Sequence, residues 1–182
     1  LKLEEENVAK AEVVGLDVLA SGVRVSRRLK KPDEHRRLTL QVRLNKGVTL
    51  PEGAGQGVKV KADGVVEVSL DMSPGAKLGP EARQRALAPH GPIDSKHPAI
   101  EAQALAITAG YASPKEKTQA LVKWVYSNLK KELATHIPSA SKVLERRVGD
   151  CTEHTWLFVA LARAAGIPAR PVYGLMYIDD KE

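Results

Sequence analysis

The sequence predicts an α+β protein, with a β-rich N-terminal part followed by a helical C-terminal part. In the first half, apolar and polar side chains alternate over residues 37–44, which is the period of a half-buried strand. In the second half, apolar residues such as Leu121, Val125 and Leu129 recur at helical spacing. We therefore expect a β-rich N-terminal domain over residues 1–75, a linker over residues 76–97 and a second domain over residues 98–182.

Further strand patterns flank a turn signal in the N-terminal half. Valines alternate with lysines over residues 58–60, and alternation resumes over residues 66–70. Between them lies Asp63-Gly64, a dipeptide typical of tight turns, so the pattern predicts a β-hairpin. Residues 23–25 indicate a further strand, whereas residues 4–14 fit either a helix or extended chain.

The middle of the chain is rich in proline and glycine. Residues 71–98 contain Ser73-Pro74-Gly75, Gly79-Pro80 and Pro89-His90-Gly91-Pro92. Such a composition predicts a surface connection between two units, with a short helix over residues 81–87.

The C-terminal half carries clear helix signals. Ser113-Pro114-Lys115-Glu116 matches a capping box with proline at the first helical position. Residues 152–165 are apolar over most of the helix circumference and precede Gly166, which predicts a buried helix. The elements expected here are helices over residues 99–109, 113–129, 140–147 and 152–165, and a strand over residues 170–178.

The composition is that of an ordinary globular protein. Among 182 residues, 28 Lys and Arg against 22 Asp and Glu give a net charge of +6, and 43% of residues are hydrophobic. No apolar run approaches the roughly 20 residues that cross a bilayer, so no membrane partner is predicted. The single cysteine, Cys151, excludes an intrachain disulfide and a Cys-rich zinc site. We predict neither a cofactor nor a metal.

Two basic runs, at residues 27–31 and 35–37, suggest nucleic acid at first sight. They lack interleaved aromatic residues and any known binding motif. We therefore interpret them as a solvated loop face and predict no nucleic-acid partner.

Residues that could carry chemistry are densest at Gly149-Asp150-Cys151-Thr152-Glu153-His154. If a helix opens at Thr152, Cys151 lies at its N-terminus, where unpaired N–H groups and the helix dipole favour a thiolate. A thiolate is the nucleophilic form of cysteine. Gly149 would let the backbone bend and a substrate approach. Spacing alone leaves open that Cys151 is an inert, half-buried small residue.

His154 lies three residues after Cys151, on roughly the same helical face. It could act as a base, but bases usually come from elsewhere in a fold, so we favour a polar or packing role. A metal pair of Cys151 and His154 lacks further ligands nearby.

The run from Gly149 to Phe158, continued from Ala160 to Arg170, resembles the core of the bacterial transglutaminase-like superfamily. That family shows G-D-C-x-E-H, an apolar helix, R-A-x-G-I-P-A-R and a strand carrying V-x-G. Val172-Tyr173-Gly174 fits the last of these. Lead-in residues such as Ile93-Asp94-Ser95 also match, so that the resemblance covers residues 93–178.

The resemblance implies a papain-like architecture, in which the helix that bears the cysteine packs against an antiparallel sheet. It assigns the nucleophile of a Cys-His-Asp triad to Cys151. The family's His and Asp lie on strands after V-x-G, where this sequence has none of its five histidines. The chain starts at Leu1 and ends at Glu182, soon after an apolar stretch, so we expect a truncated piece of a longer polypeptide whose compartment stays open. By itself, this piece should be almost inactive.

The chemistry implied is acyl transfer at a peptide or glutamine carboxamide carbonyl through a Cys151 thioester. The partner is then a protein or peptide substrate, and peptidase, transglutaminase and deamidase outcomes stay open. A non-catalytic protein-binding or scaffold module with the same fold is the alternative. We expect structural roles for Arg163 and Arg170, and core positions for Trp124 and Trp156.

Overall fold

A computed structural model describes residues 26–53, 55–73, 78–132, 138–174 and 177. These residues fall into two units, one of residues up to 73 with Tyr177 and one of residues 78–174. The strand expected at residues 23–25 and the ambiguous stretch at residues 4–14 lie outside the described residues.

The first unit contains a three-stranded antiparallel sheet in the order β1-β3-β2. Its strands are β1 (Arg37–Arg43), β2 (Gln56–Val60) and β3 (Val65–Asp71), preceded by a 3₁₀ turn at Pro32–Glu34. Leu40 and Val58 both lie opposite Val68, which is buried. The hairpin turns at Asp63 and Gly64, whose φ angles of 56° and 71° are the left-handed values that a type I′ turn requires. The strand predicted over residues 37–44 and the hairpin predicted over residues 58–70 are confirmed.

The second unit is mainly helical. Its elements are α1 (Pro80–Leu87), α2 (Pro98–Thr108), α3 (Pro114–Asn128), β4 (Lys130–Lys131), α4 (Ala140–Arg146), β5 (Val148–Gly149) and α5 (Cys151–Ala164). Helix α5 packs against the other helices of the unit, and its Leu157 and Leu161 are fully buried. The predicted helices are confirmed to within one or two residues, and so is the burial of the last one.

Capping explains where two of these helices begin. Ser113 accepts a hydrogen bond from the N–H of Glu116, whose carboxylate accepts from the N–H of Ser113, so the predicted capping box is confirmed. A second box opens α5, between Asp150 and Glu153. Each box satisfies N–H groups that a helix start otherwise leaves unpaired.

The segment predicted as a linker over residues 76–97 differs from that prediction wherever it is described. Ile93 is 4% exposed and belongs to the core of the second unit. The carbonyl oxygen of Pro92 accepts from the N–H of Ala140, and the carboxylate of Asp94 accepts from the N–H of Ser141. Residues 78–97 are therefore part of the second unit, because one apolar side chain and several backbone bonds attach them to it.

The strand predicted over residues 170–178 is not found in its described part. Residues 170–174 have no strand structure, and Val172 and Tyr173 are about 70% exposed. β-Branched and aromatic residues favour a strand only when a neighbouring strand pairs with them, and no described strand does so here. With an antiparallel sheet and a helical unit, the α+β class is nevertheless confirmed.

Among the described residues, we find no helix that combines the length and the apolar character needed to cross a membrane.

Candidate functional site

Cys151 is the first residue of α5 and is exposed. The two residues before Asp150 form β5, which pairs in parallel with β4 so that Lys131 lies opposite Gly149. The N–H of Lys130 donates to the carbonyl oxygen of Arg147 at 2.8 Å, and the N–H of Glu132 donates to that of Gly149 at 3.2 Å. The polypeptide that leads into the cysteine is therefore attached to the end of α3.

Two carboxyl groups flank the cysteine and close the start of α5. A carboxylate oxygen of Asp150 accepts from the N–H of Thr152 at 2.8 Å, and the Asp150 side chain also accepts from the N–H of Glu153. In return, Oε2 of Glu153 accepts from the N–H of Asp150 at 2.9 Å. The Glu153 side chain is only 6% exposed.

The two carboxyl groups have opposite protonation preferences. Burial raises the pKa of Glu153, and a hydrogen bond between its side chain and Asp150 raises it further. That same hydrogen bond is the main cause that lowers the pKa of Asp150, and the N–H of Thr152 lowers it as well. In the folded protein, Glu153 therefore binds its proton more tightly than an ordinary glutamate, and Asp150 binds its proton less tightly than an ordinary aspartate.

In the first turn of α5, the N–H of Cys151 has no hydrogen-bond acceptor among the described residues. Asp150 satisfies the N–H groups of Thr152 and Glu153, and its carbonyl oxygen accepts from the N–H of His154 at 3.1 Å. No described residue accepts a hydrogen bond from the N–H of Cys151. The site thus combines an exposed thiol with a free backbone donor on the same residue.

His154 is held by its own helix. Its Nδ1 lies 2.6 Å from the carbonyl oxygen of Asp150, which can only accept, so Nδ1 carries a proton and donates. This contact gives His154 a polar role within its own helix.

Gly149 and Glu153 form a pair that the sequence analysis missed. A Cβ built on Gly149 would collide with the Cβ of Glu153 and lie 2.8 Å from its Cγ. Asp150 and Glu153 stand three residues apart, which is the spacing of a capping box, so that signal was present in the sequence. The requirement for glycine was not, since it depends on where the Glu153 side chain folds.

Arg163 holds the far end of α5. Its Nε donates to the carbonyl oxygen of Ala169 at 2.9 Å, and its Nη1 donates to that of Ala88 at 2.5 Å. The side chain is mostly buried, and this burial lowers the pKa of the guanidinium. Arg163 therefore anchors the turn after α5, which confirms the structural role expected of it.

The two tryptophans pack at the edge of the core. Trp124 and Trp156 are partly buried against it, and the Nε1 of Trp156 donates to the hydroxyl of Tyr173 at 3.3 Å.

The described residues hold no cluster of three or more His, Cys, Asp or Glu side chains that would bind a metal.

A separate cleft of about 350 Å³ lies between α2 and α4. It is lined by His97, Ala99, Ser141, Lys142, Leu144 and Glu145. None of these residues belongs to the turn that carries Cys151.

Part of this chain is similar in sequence to a curated protein. A stretch of 68 residues is 37% identical to an uncharacterised protein of Haemophilus influenzae, covering 35% of this chain and 18% of that protein. The chain thus spans less than a fifth of the length of this curated relative.

Two solved structures are also similar. One is of a candidate cysteine protease from Cytophaga hutchinsonii, with 15% identity and a TM-score of 0.46, covering 72% of this chain and 53% of that chain. The other is of a candidate protease from Parabacteroides distasonis, with 17% identity and a TM-score of 0.36, covering 72% of this chain and 32% of that chain.

The family comparison covers the site itself. Residues 101–181 match the model of the transglutaminase-like superfamily, and this range includes β5, the capping box and all of α5. This part of the chain is therefore similar to the transglutaminase-like superfamily.

Proposed function

We propose that Cys151 is the nucleophile of a thiol-dependent acyl transfer at peptide or glutamine carboxamide carbonyls. The observation that carries this proposal is the position of Cys151, exposed at the first residue of a buried helix inside the family match. A rigid helix behind the sulfur fixes its position relative to a bound carbonyl.

The reaction proceeds in two steps. The sulfur attacks the carbonyl carbon, the C–N bond breaks, and ammonia or an amine leaves with a proton, so that an acyl thioester remains on Cys151. Water or a second amine then attacks the thioester. A carboxylic acid or a new amide is released, and the thiol returns.

The backbone supports the charge that develops in both steps. The N–H of Cys151 has no acceptor among the described residues, so it is available to the oxygen of the tetrahedral intermediate. We assign the proton transfers to the His and Asp that the family resemblance places after Gly174, because a base usually comes from a different element than the nucleophile.

The test is to trap the thioester in the protein at its full natural length. A blocked peptide that contains glutamine is supplied with hydroxylamine as the acceptor, and hydroxamate formation and mass added to Cys151 are measured. Cys151→Ala and Cys151→Ser should abolish both signals, while Ser127→Ala, an exposed change on α3, should leave them intact. Turnover retained by either Cys151 variant would contradict the proposal.

The same assay separates the enzyme from the non-catalytic alternative. A natural-length protein that forms neither hydroxamate nor an adduct with any of a panel of glutamine peptides would favour a binding or scaffold module. The water and amine outcomes are distinguished by comparing free acid with hydroxamate as the hydroxylamine concentration is raised.

A further inference from the structure

The Glu153 side chain occupies space that exists only because residue 149 is glycine. Gly149 is buried, and a Cβ there would meet the Cβ, the Cγ and, at 3.3 Å, the Oε2 of Glu153. The φ of Gly149 is not in the left-handed region, so backbone conformation does not require glycine. Glycine is required at this position because the side chain of Glu153 folds back over it.

The folded-back carboxyl fixes the peptide group between Gly149 and Asp150. The N–H of this peptide donates to Oε2 of Glu153 at 2.9 Å, and its carbonyl oxygen accepts from the N–H of Glu132 at 3.2 Å. Both polar atoms of one peptide plane are therefore bound, on opposite sides. This plane cannot rotate without breaking one of the two bonds.

The next peptide group, between Asp150 and Cys151, is fixed in turn. Its carbonyl oxygen accepts from the N–H and the Nδ1 of His154. In a trans peptide the N–H points opposite to the carbonyl oxygen, so the N–H of Cys151 points away from the helix. The carboxylate of Asp150 caps the N–H groups of Thr152 and Glu153. Among the N–H groups of residues 151–154, that of Cys151 is the one that remains free to donate to a substrate.

We infer that Glu153 is a positioning residue for the acyl transfer, whose buried carboxyl sets the backbone so that the N–H of Cys151 meets the oxygen of the tetrahedral intermediate. Gly149, which has no side chain, leaves the space that the Glu153 side chain occupies. The inference rests on the proposed role of Cys151 as nucleophile. Glu153 itself does not touch the reacting atoms.

Three substitutions separate this role from simple support of the fold. Glu153→Gln keeps a side-chain oxygen that accepts from the N–H of Asp150, and its amide N–H can donate to the carboxylate of Asp150. Glu153→Met keeps most of the buried volume but removes both polar contacts, and Gly149→Ala displaces the Glu153 side chain. We expect the Gln variant to keep kcat within about threefold, and the Met and Ala variants to lose about 10- to 100-fold in kcat with KM almost unchanged.

The measurement is kcat and KM for hydroxamate formation by the full-length protein, at a temperature where circular dichroism shows every variant to be folded. A folded Glu153→Met variant with the wild-type kcat would overturn the inference, and so would a Glu153→Gln variant as impaired as Glu153→Met. If Gly149→Ala does not fold, the contrast between Gln and Met still decides. Turnover retained by Cys151→Ala would instead overturn the proposed nucleophile, which keeps the two failures distinct.

Discussion

The guanidinium of Arg147 lies over the indole ring of Trp124, 4.5 Å from the ring centroid. Arg147 ends α4 in a left-handed conformation with φ of 58°, which costs a non-glycine residue about 1–2 kcal/mol. Its carbonyl oxygen accepts the N–H of Lys130. The cation–π contact and this hydrogen bond thus hold a strained turn three residues before Asp150.

We predict that Arg147 and Trp124 are energetically coupled. Arg147→Gln and Trp124→Leu should each destabilise the protein, and the double variant should lose less than the sum by about 0.5–1 kcal/mol, because the cation–π contact can be lost only once. Urea unfolding of the four proteins in this double-mutant cycle measures the coupling. Strictly additive losses would show that the contact contributes nothing.

A second prediction concerns Ser95, which is 1% exposed and whose Oγ has no hydrogen-bond partner among the described residues. Burying an unsatisfied hydroxyl costs about 1–3 kcal/mol, so Ser95→Ala should be neutral or stabilising by about 1 kcal/mol in urea unfolding. The matched control is Thr108→Val, since the buried Oγ1 of Thr108 donates to the carbonyl oxygen of Ala104 at 2.7 Å. That variant should lose about 0.5–1.5 kcal/mol. Equal losses in both variants would argue against the prediction.

Arg163 gives a third prediction. Arg163→Ala leaves the carbonyl oxygens of Ala88 and Ala169 without their charged donor, so it should cost about 2–3 kcal/mol in the free energy of unfolding. Arg163→Lys should recover only part of this loss, because one ammonium cannot reproduce the two-sided guanidinium contact. Arg146→Ala, an exposed arginine at the end of α4, serves as the control and should change stability by less than about 0.5 kcal/mol.

The fourth prediction follows from the raised pKa of Glu153. The folded protein binds the proton of the Glu153 carboxyl group more tightly than the unfolded chain does. The contribution of Glu153 to stability is therefore complete below its ordinary pKa of 4.5. The contribution is lost as pH rises through the higher folded pKa. The free energy of unfolding of the wild type should therefore fall relative to that of Glu153→Gln as pH rises above the ordinary pKa of 4.5.

Asp150 does not confuse this comparison. Its lowered pKa contributes stability that is present above its ordinary value of 3.8 and is lost as pH falls below it, outside the window of Glu153. Urea midpoints of both proteins across the pH series measure the difference. Parallel curves would mean that Glu153 holds its proton no more tightly when folded.

Local patterns predicted most of the elements correctly because each depends on neighbours in sequence. The alternation over residues 37–44 produced β1, and the box at Ser113 and Glu116 produced the start of α3. Cys151 was placed at a helix start by the same local logic. Its assignment as the nucleophile came from the family resemblance.

The failures depend on contacts between residues far apart in sequence. Ile93 is a single apolar residue among prolines and glycines, so no periodic pattern reveals that it enters the core. Residues 170–174 have strand-like side chains, yet a strand also needs a partner. The need for glycine at residue 149 depends on the rotamer of Glu153, which no propensity contains.

The hydrogen bond from Arg163 to the carbonyl oxygen of Ala88 has a practical consequence for anyone who shortens this protein. A piece that starts at Pro98, where the long helices begin, would remove this acceptor together with Ile93. The cut would leave a half-satisfied guanidinium at one end of α5 and a void in the core. A shortened form of the second unit should therefore keep α1 and begin before Pro80, even though the family match starts at residue 101.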